Sequence, residues 1–164
     1  MKKKSIKTKQ EKFFNTPIDI GLRVLFLLQD AKKLYDLQSL VYLDYFLVHS
    51  GDVPGGPESL HPNSPHHAIE ILVKRKLMQD GLRAIHKKQL IDISLENKGV
   101  YYAKNKLTGE FLKHYSNSLY AEELRVRSKW VFRKFGKYDE EKLKKYVDAN
   151  IKKWGTEFLD STTK

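Results

Sequence analysis

Apolar positions recur along this chain with a helical period over most of its length and with a strand period once, near its middle. Thr16-Pro17-Ile18-Asp19 reads as a helix start. Thr16 supplies a capping oxygen, Pro17 suits the first helical position, and Asp19 favours the positive end of the helix dipole. The helix is expected to run to about Asp30. Ile18, Leu22, Leu25 and Leu28, with Val24, Phe26 and Leu27 between them, leave little polar face, so it is expected to be central and buried. A short linker, roughly Ala31 to Tyr35, leads to Asp36 as the next cap. The following helix, Leu37 to His49, carries its stripe at Leu37, Leu40, Val41, Leu47 and Val48. Asp44 falls on that stripe, three residues after Val41 and four after Leu40. A carboxylate among apolar neighbours needs a partner or its pKa rises. Arg23 and His49 are the candidates.

A loop comes next, V-H-S-G-D-V-P-G-G-P-E-S-L-H-P-N-S-P-H-H, residues 48 to 67. Gly51 is expected to end the helix, and Pro54-Gly55-Gly56-Pro57 forces turns. Asn63 or Ser64 would cap a new helix, with Pro65 near its first position and Ala68, Ile69, Leu72 and Val73 turned inward. Lys74-Arg75-Lys76 is a polar break expected to kink or divide that helix. Leu77, Met78, Leu82 and Ile85 then face inward, and Gly81 allows another backbone to come close.

Strict alternation appears at L-I-D-I-S-L, residues 90 to 95. A turn at E-N-K-G and a second run, V-Y-Y-A-K, complete a predicted β-hairpin. Helices followed by a hairpin form the layout of a winged helix-turn-helix, with the stretch ending at Ile91 as the exit of a recognition helix. Beyond it the pattern is helical again. Thr108 would cap a short segment with Phe111 and Leu112. Ser118 would cap Leu119 to Phe135, anchored by Tyr120, Leu124, Trp130, Val131 and Phe135 and closed by Gly136. Asp139 would cap a charged helix from Glu140 to about Lys153, with the end of the chain frayed. The expected fold class is therefore mainly α with a small β-hairpin: a winged helix-turn-helix-like domain with extra C-terminal helices. The expected divisions are a disordered basic tail at 1–12, a winged-helix-like domain at 13–115 and a helical extension at 116–158 packed on it.

Composition narrows the function. With 164 residues and 40% apolar content the chain can build one well-packed domain. It has no cysteine, which excludes disulfides, zinc fingers and thiol chemistry and suits a cytoplasmic location. Its apolar runs are too short or too interrupted to span a bilayer, so no membrane role is expected. The net charge is +11; six lysines and one glutamate in the first twelve residues supply +5 of it. Such a tail keeps a chain soluble, and it also attracts phosphate backbones in a salt-sensitive way.

The loop's histidines invite a metal or catalytic reading, since it holds four of the chain's six. Neither reading has the spacing it needs. His66 and His67 are adjacent, so on a helix they point about 100° apart. Ser50 beside His49 is a sequence neighbour only, without a nucleophile elbow, and G-D-V-P-G-G-P lacks the lysine of a phosphate loop. No catalytic residue, metal ligand or cofactor is expected. The loop is expected to be a stiff docking element, pinned by Asp44, His49, Asp52 and His61. Lys74, Arg75, Lys76, Arg83, Lys87, Lys88 and, at the hairpin tip, Lys98 are candidates for contact with a DNA backbone. Few residues there suit base reading, so a sequence-specific transcription regulator acting alone is the second choice. Tyr42, Tyr45 and Trp154 are expected to be available as interface anchors.

Four stretches together resemble a known family: F-N-T-P-I-D-I-G-L-R (14–23), D-L-Q-S-L-V-Y-L-D-Y-F-L-V-H-S-G-D (36–52), P-G-G-P-E-S-L-H-P (54–62) and K-K-W-G-T-E-F (152–158). The chain is similar over residues 13 to 158 to the small middle component of bacterial ABC-three-component systems, the Lamassu-type antiphage and antiplasmid operons. The resemblance implies a non-catalytic adaptor. Its partners would be an SMC-like ATPase that senses DNA and an effector such as a nuclease, and it would reach DNA through the complex. It carries over no active-site residue.

Overall fold

The computed structural model describes the backbone of residues 15–62 and 67–162, and the side chains of 15–62 and 69–154. The expected tail at 1–12, the caps Asn63 and Ser64, Pro65 and His66 lie outside the described residues.

Among the described residues there are six α-helices and one three-stranded antiparallel sheet. Helix α1, Pro17–Asp30, starts as its sequence dictates. The Thr16 side chain accepts from the Asp19 N–H, and the Asp19 carboxylate accepts from the Thr16 N–H, closing a capping box. Ile18, expected inside, is 77% exposed, while Ile20, Val24, Leu25, Leu27 and Leu28 are buried. The expected linker contains a two-residue strand, β1, Tyr35–Asp36, which pairs with the hairpin. Asp36 then caps α2, Leu37–Val48, by accepting from the Ser39 N–H. Helix α2 has almost no solvent face: every residue from Ser39 to Val48 is buried. It ends at Val48 with His49 as cap, two residues before the expected Gly51, and runs into a 3₁₀ turn at Ser50–Asp52.

Helix α3, His67–Lys87, is one continuous element. The expected break at Lys74-Arg75-Lys76 does not occur, because Lys74 is drawn inward and ion-paired there rather than solvated. Its apolar inner face is Ile71, Met78, Leu82 and Ile85; the expected inward positions Ile69, Leu72 and Val73 point to solvent. The helix stops just before Gln89, the one non-glycine described residue at positive φ, +60°. Strands β2, Ile91–Glu96, and β3, Gly99–Lys104, form the expected hairpin, with Ile93 opposite Tyr102 and Leu95 opposite Val100. The sheet order is β1-β3-β2, so β2 is an edge.

Asn105, not Thr108, caps α4, Lys106–Leu112; Thr108 is the returning half of the capping box and donates to the Leu90 carbonyl at 2.6 Å. Ser118 caps α5, Leu119–Phe135, as expected. Asp139 accepts from the Lys142 N–H at the head of α6, Glu140–Thr162, which continues past the expected end near Lys153. The last two helices close over α2: Phe135 stacks on Phe46 at 4.4 Å and Trp154 on Tyr45 at 5.0 Å. Tyr42, Tyr45 and Trp154 are therefore core residues rather than surface anchors.

Helices α1 and α3 touch backbone to backbone. A Cβ on Gly81 would lie 2.7 Å from the Pro17 carbonyl oxygen and 3.1 Å from the Gly21 nitrogen. Alanine there would gain up to ~1 kcal/mol of helix propensity. Overpacking against two backbone atoms that cannot turn aside costs roughly 1–3 kcal/mol, so the clash decides the sign. Gly81→Ala is expected to lower the melting temperature by a few degrees in a thermal scan, and Gly81→Val to lower it much further.

Candidate functional site

The interior of this fold is charged. Arg23 of α1 and Asp44 of α2 are both 0% exposed. They form a two-pronged pair: the Arg23 Nε–H donates to Asp44 Oδ1 at 2.6 Å and a terminal N–H to Oδ2 at 2.8 Å. Helix α3 adds a second pair one turn apart, Lys74 Nζ with Glu70 Oε1 at 3.2 Å, and Lys74 also lies 3.8 Å from Asp44 Oδ2. His49, at the end of α2, bonds Glu70 Oε1 through Nε2 at 3.0 Å. His61 in the loop bonds the Tyr120 hydroxyl of α5 at 2.9 Å, and that hydroxyl also meets Arg23. Two cations and two carboxylates thus balance in one buried cluster that joins α1, α2, α3, α5 and the loop.

Balance sets the protonation states. Burial alone would raise the Asp44 carboxyl, but Arg23, aided by Lys74, holds it below the usual carboxylate range. Burial also works against Glu70, and the bond from His49 with the charge of Lys74 overcomes it, holding Glu70 at about 2. His61 is pushed down to about 3, first by burial and then by the positive charges of Arg23 and Lys74. It is neutral at physiological pH.

Above this cluster the loop is stitched closed. The Leu60 and His61 N–H groups both donate to the Val48 carbonyl, the Ser50 hydroxyl donates to the Glu58 carbonyl, and the Gly51 N–H donates to the Ser59 hydroxyl. Arg127 of α5 clamps the Glu58 carbonyl with two N–H groups, at 3.2 and 2.7 Å. Tyr45 donates to Asp52 Oδ2 at 2.5 Å, and the Trp154 indole N–H donates to the Asp52 carbonyl at 3.1 Å. Only glycine fits position 56, where a Cβ would run into the Ser50 carbonyl oxygen.

The expected loop residues are thus brought together, with one change of partner. Asp44 pairs with Arg23 as expected, while His49 pairs with Glu70. Sequence reasoning misses Glu70, although its i,i+4 spacing to Lys74 is a signal; Tyr120 and Arg127 leave none. The expected basic face is only partly assembled. Lys74 is 1% exposed and belongs to the interior, because burying it beside two carboxylates is better than leaving them unpaired. Arg75 bonds the Gln38 side chain, Lys76 and Arg83 share Asp80, and Lys87, Lys88 and Lys98 are solvent-exposed.

Among the described residues no group of three or more His, Asp or Glu side chains could hold a metal ion. Two surface hollows, of about 520 and 570 Å³, are lined away from the buried cluster. No described helix is long and apolar enough to cross a membrane.

This is a mainly helical protein whose concentrated ionisable side chains are engaged in holding its own elements together. The family model for the ABC-three component (ABC-3C) system Middle Component 2 matches residues 13–157, and the chain belongs to that family. Membership in a three-component system implies partner subunits. No curated protein and no solved structure matches the chain.

Breaking a buried pair from one side leaves a bare charge and costs about 3–5 kcal/mol, whereas an apolar pair of similar volume is nearly neutral. Arg23→Met and Asp44→Leu are each expected to lose most of the fold's stability in urea titration. The double variant should lose less than their sum.

Acid should unfold the protein early. The Glu70 contribution is complete above its ordinary 4.5 and is lost as pH falls through about 2. The His61 imidazole takes up its proton near 6.5 when unfolded but only near 3 when folded, so stability falls as pH drops between those values. The melting temperature is expected to fall steadily from pH 7 to pH 4. His61→Gln, which keeps a partner for Tyr120, should flatten that slope.

Proposed function

We propose that this middle component is a non-catalytic adaptor of a Lamassu-type defence complex, joining an SMC-like ATPase to an effector such as a nuclease. The observation that carries this reading is the family match across residues 13–157. It is supported by the use of Asp44, His49, Glu70 and His61 as buried partners of one another and of neighbouring helices. A general base or nucleophile must reach its substrate, and these groups face the interior. The element order α1-β1-α2-α3-β2-β3, with sheet order β1-β3-β2, supports a winged-helix core on which α5 and α6 form the C-terminal extension. Winged helices serve nucleic-acid binding and protein docking alike, so the fold alone does not choose between them.

In this reading the chain holds the effector near the ATPase and meets DNA through the assembled complex. Co-expression with the other two components of its system should give a stoichiometric complex on gel filtration. A chain that elutes alone in the presence of both would overturn the adaptor role. Purified by itself, the chain should bind duplex DNA weakly, without sequence preference and with steep salt dependence; tight binding to paired half-sites would favour a regulator acting alone.

A further inference from the structure

The first half of α3 brings charge onto its inner face beside the buried Ile71. Facing inward there are also Glu70 and Lys74, ion-paired with each other. Facing outward are Ile69, Leu72 and Val73, which are 59%, 74% and 56% exposed. Spaced i, i+3 and i+4, they form one contiguous apolar patch on a single turn. Single exposed apolar residues are ordinary, whereas a monomer's largest contiguous apolar patch is often functional. Further along the same outer face come Lys76, Arg83 and Lys87, at i, i+7 and i+11 from Lys76. From residue 75 to 88 five cations stand against one carboxylate, Asp80.

We infer that the outer face of α3 is the surface by which this chain docks on another subunit of its system, and that the subunit presents there an apolar ridge flanked by carboxylates. The inference rests on the adaptor reading and adds where the contact is made and with what chemistry. Charge complementarity selects the acidic flank: a basic or neutral one would desolvate Lys76, Arg83 and Lys87 with only Asp80 to balance the first two. The apolar half selects protein over DNA. A recognition helix sets its N-terminal residues against base edges and phosphates. Here those positions hold Ile69, Leu72 and Val73, which donate nothing to either. Lys74, next to Val73 in sequence, is buried. Helix α3 also suits the task mechanically. It is 21 residues long, continuous, and fixed from behind by the Glu70 and Lys74 pairs and by the close approach at Gly81.

The test uses the full chain co-expressed with the other two components. Leu72→Glu with Val73→Glu should reduce co-purification of one component at least tenfold while leaving the melting temperature of the isolated chain unchanged. Lys76→Glu with Arg83→Glu should weaken the same complex several-fold, and more at low salt than at high salt. A photo-crosslinking residue at position 72 gives a readout independent of any fold defect, and should attach to that component. If wild type co-purifies with neither component, the adaptor reading itself fails. Wild type and α3 variants co-purifying equally would leave the adaptor standing and overturn the docking face. The same holds if position 72 crosslinks only to a second copy of this chain. It also holds if the variants lose duplex binding and keep both components, which would make the face a nucleic-acid surface.

Discussion

Arg23 and Asp44 meet where no water reaches, and two helices are thereby locked in one arrangement. Burying either charge alone would be strongly unfavourable. Together they fix α1 against α2 in both rotation and height, because sliding either helix by one residue would separate a planar guanidinium from a carboxylate 2.6 Å away. The rest of the interior is built outward from that pair. Lys74 reaches toward the outer oxygen of Asp44, Glu70 balances Lys74, and His49 closes on Glu70. A uniformly apolar interior would tolerate many packings of similar energy, whereas this one penalises every packing that strands a charge.

The histidine loop is a consequence of that arrangement. His49 and His61 point down into the cluster, Asp52 is held by Tyr45 and Trp154, and Arg127 grips the Glu58 carbonyl. Side chains that look like a reacting set along the chain are in fact anchors, each directed at a different helix. Their convergence gives the loop its shape, and Gly51, Pro54, Gly55, Glu58 and Pro62 are its exposed described residues.

Local chemistry is the legible part of this sequence. Thr16, Pro17 and Asp19 set the head of α1 because a cap is decided within four residues, and Ser118 and Asp139 do the same for α5 and α6. Asp44 is legible as a residue in need of a partner because carboxylates are rare on apolar stripes, and Arg23 is the cation at hand. The illegible part depends on elements far away in sequence. The two residues of β1 are too few to show a period, and they become a strand only because β3 lies beside them. The burial of Lys74 needs Asp44 from another helix. The burial of α2 on all sides needs α6, whose Trp154 covers Tyr45. Side-chain period shows that a helix has faces, but not how many of them a distant element will cover.

Helix α3 is where periodicity alone misleads. Ile69, Leu72 and Val73 read as core positions because an apolar stripe beside lysines ordinarily packs inward. The cluster around Asp44 reverses the rule, since it needs a cation and a carboxylate from α3 more than it needs another leucine. With Glu70, Ile71 and Lys74 turned inward, Ile69, Leu72 and Val73 fall on the outer side. The exposed apolar turn is therefore tied to the buried charges: the same rotation of α3 that satisfies Asp44 presents Leu72 to solvent. The interior charges thus hold an apolar surface outward against its own tendency to bury.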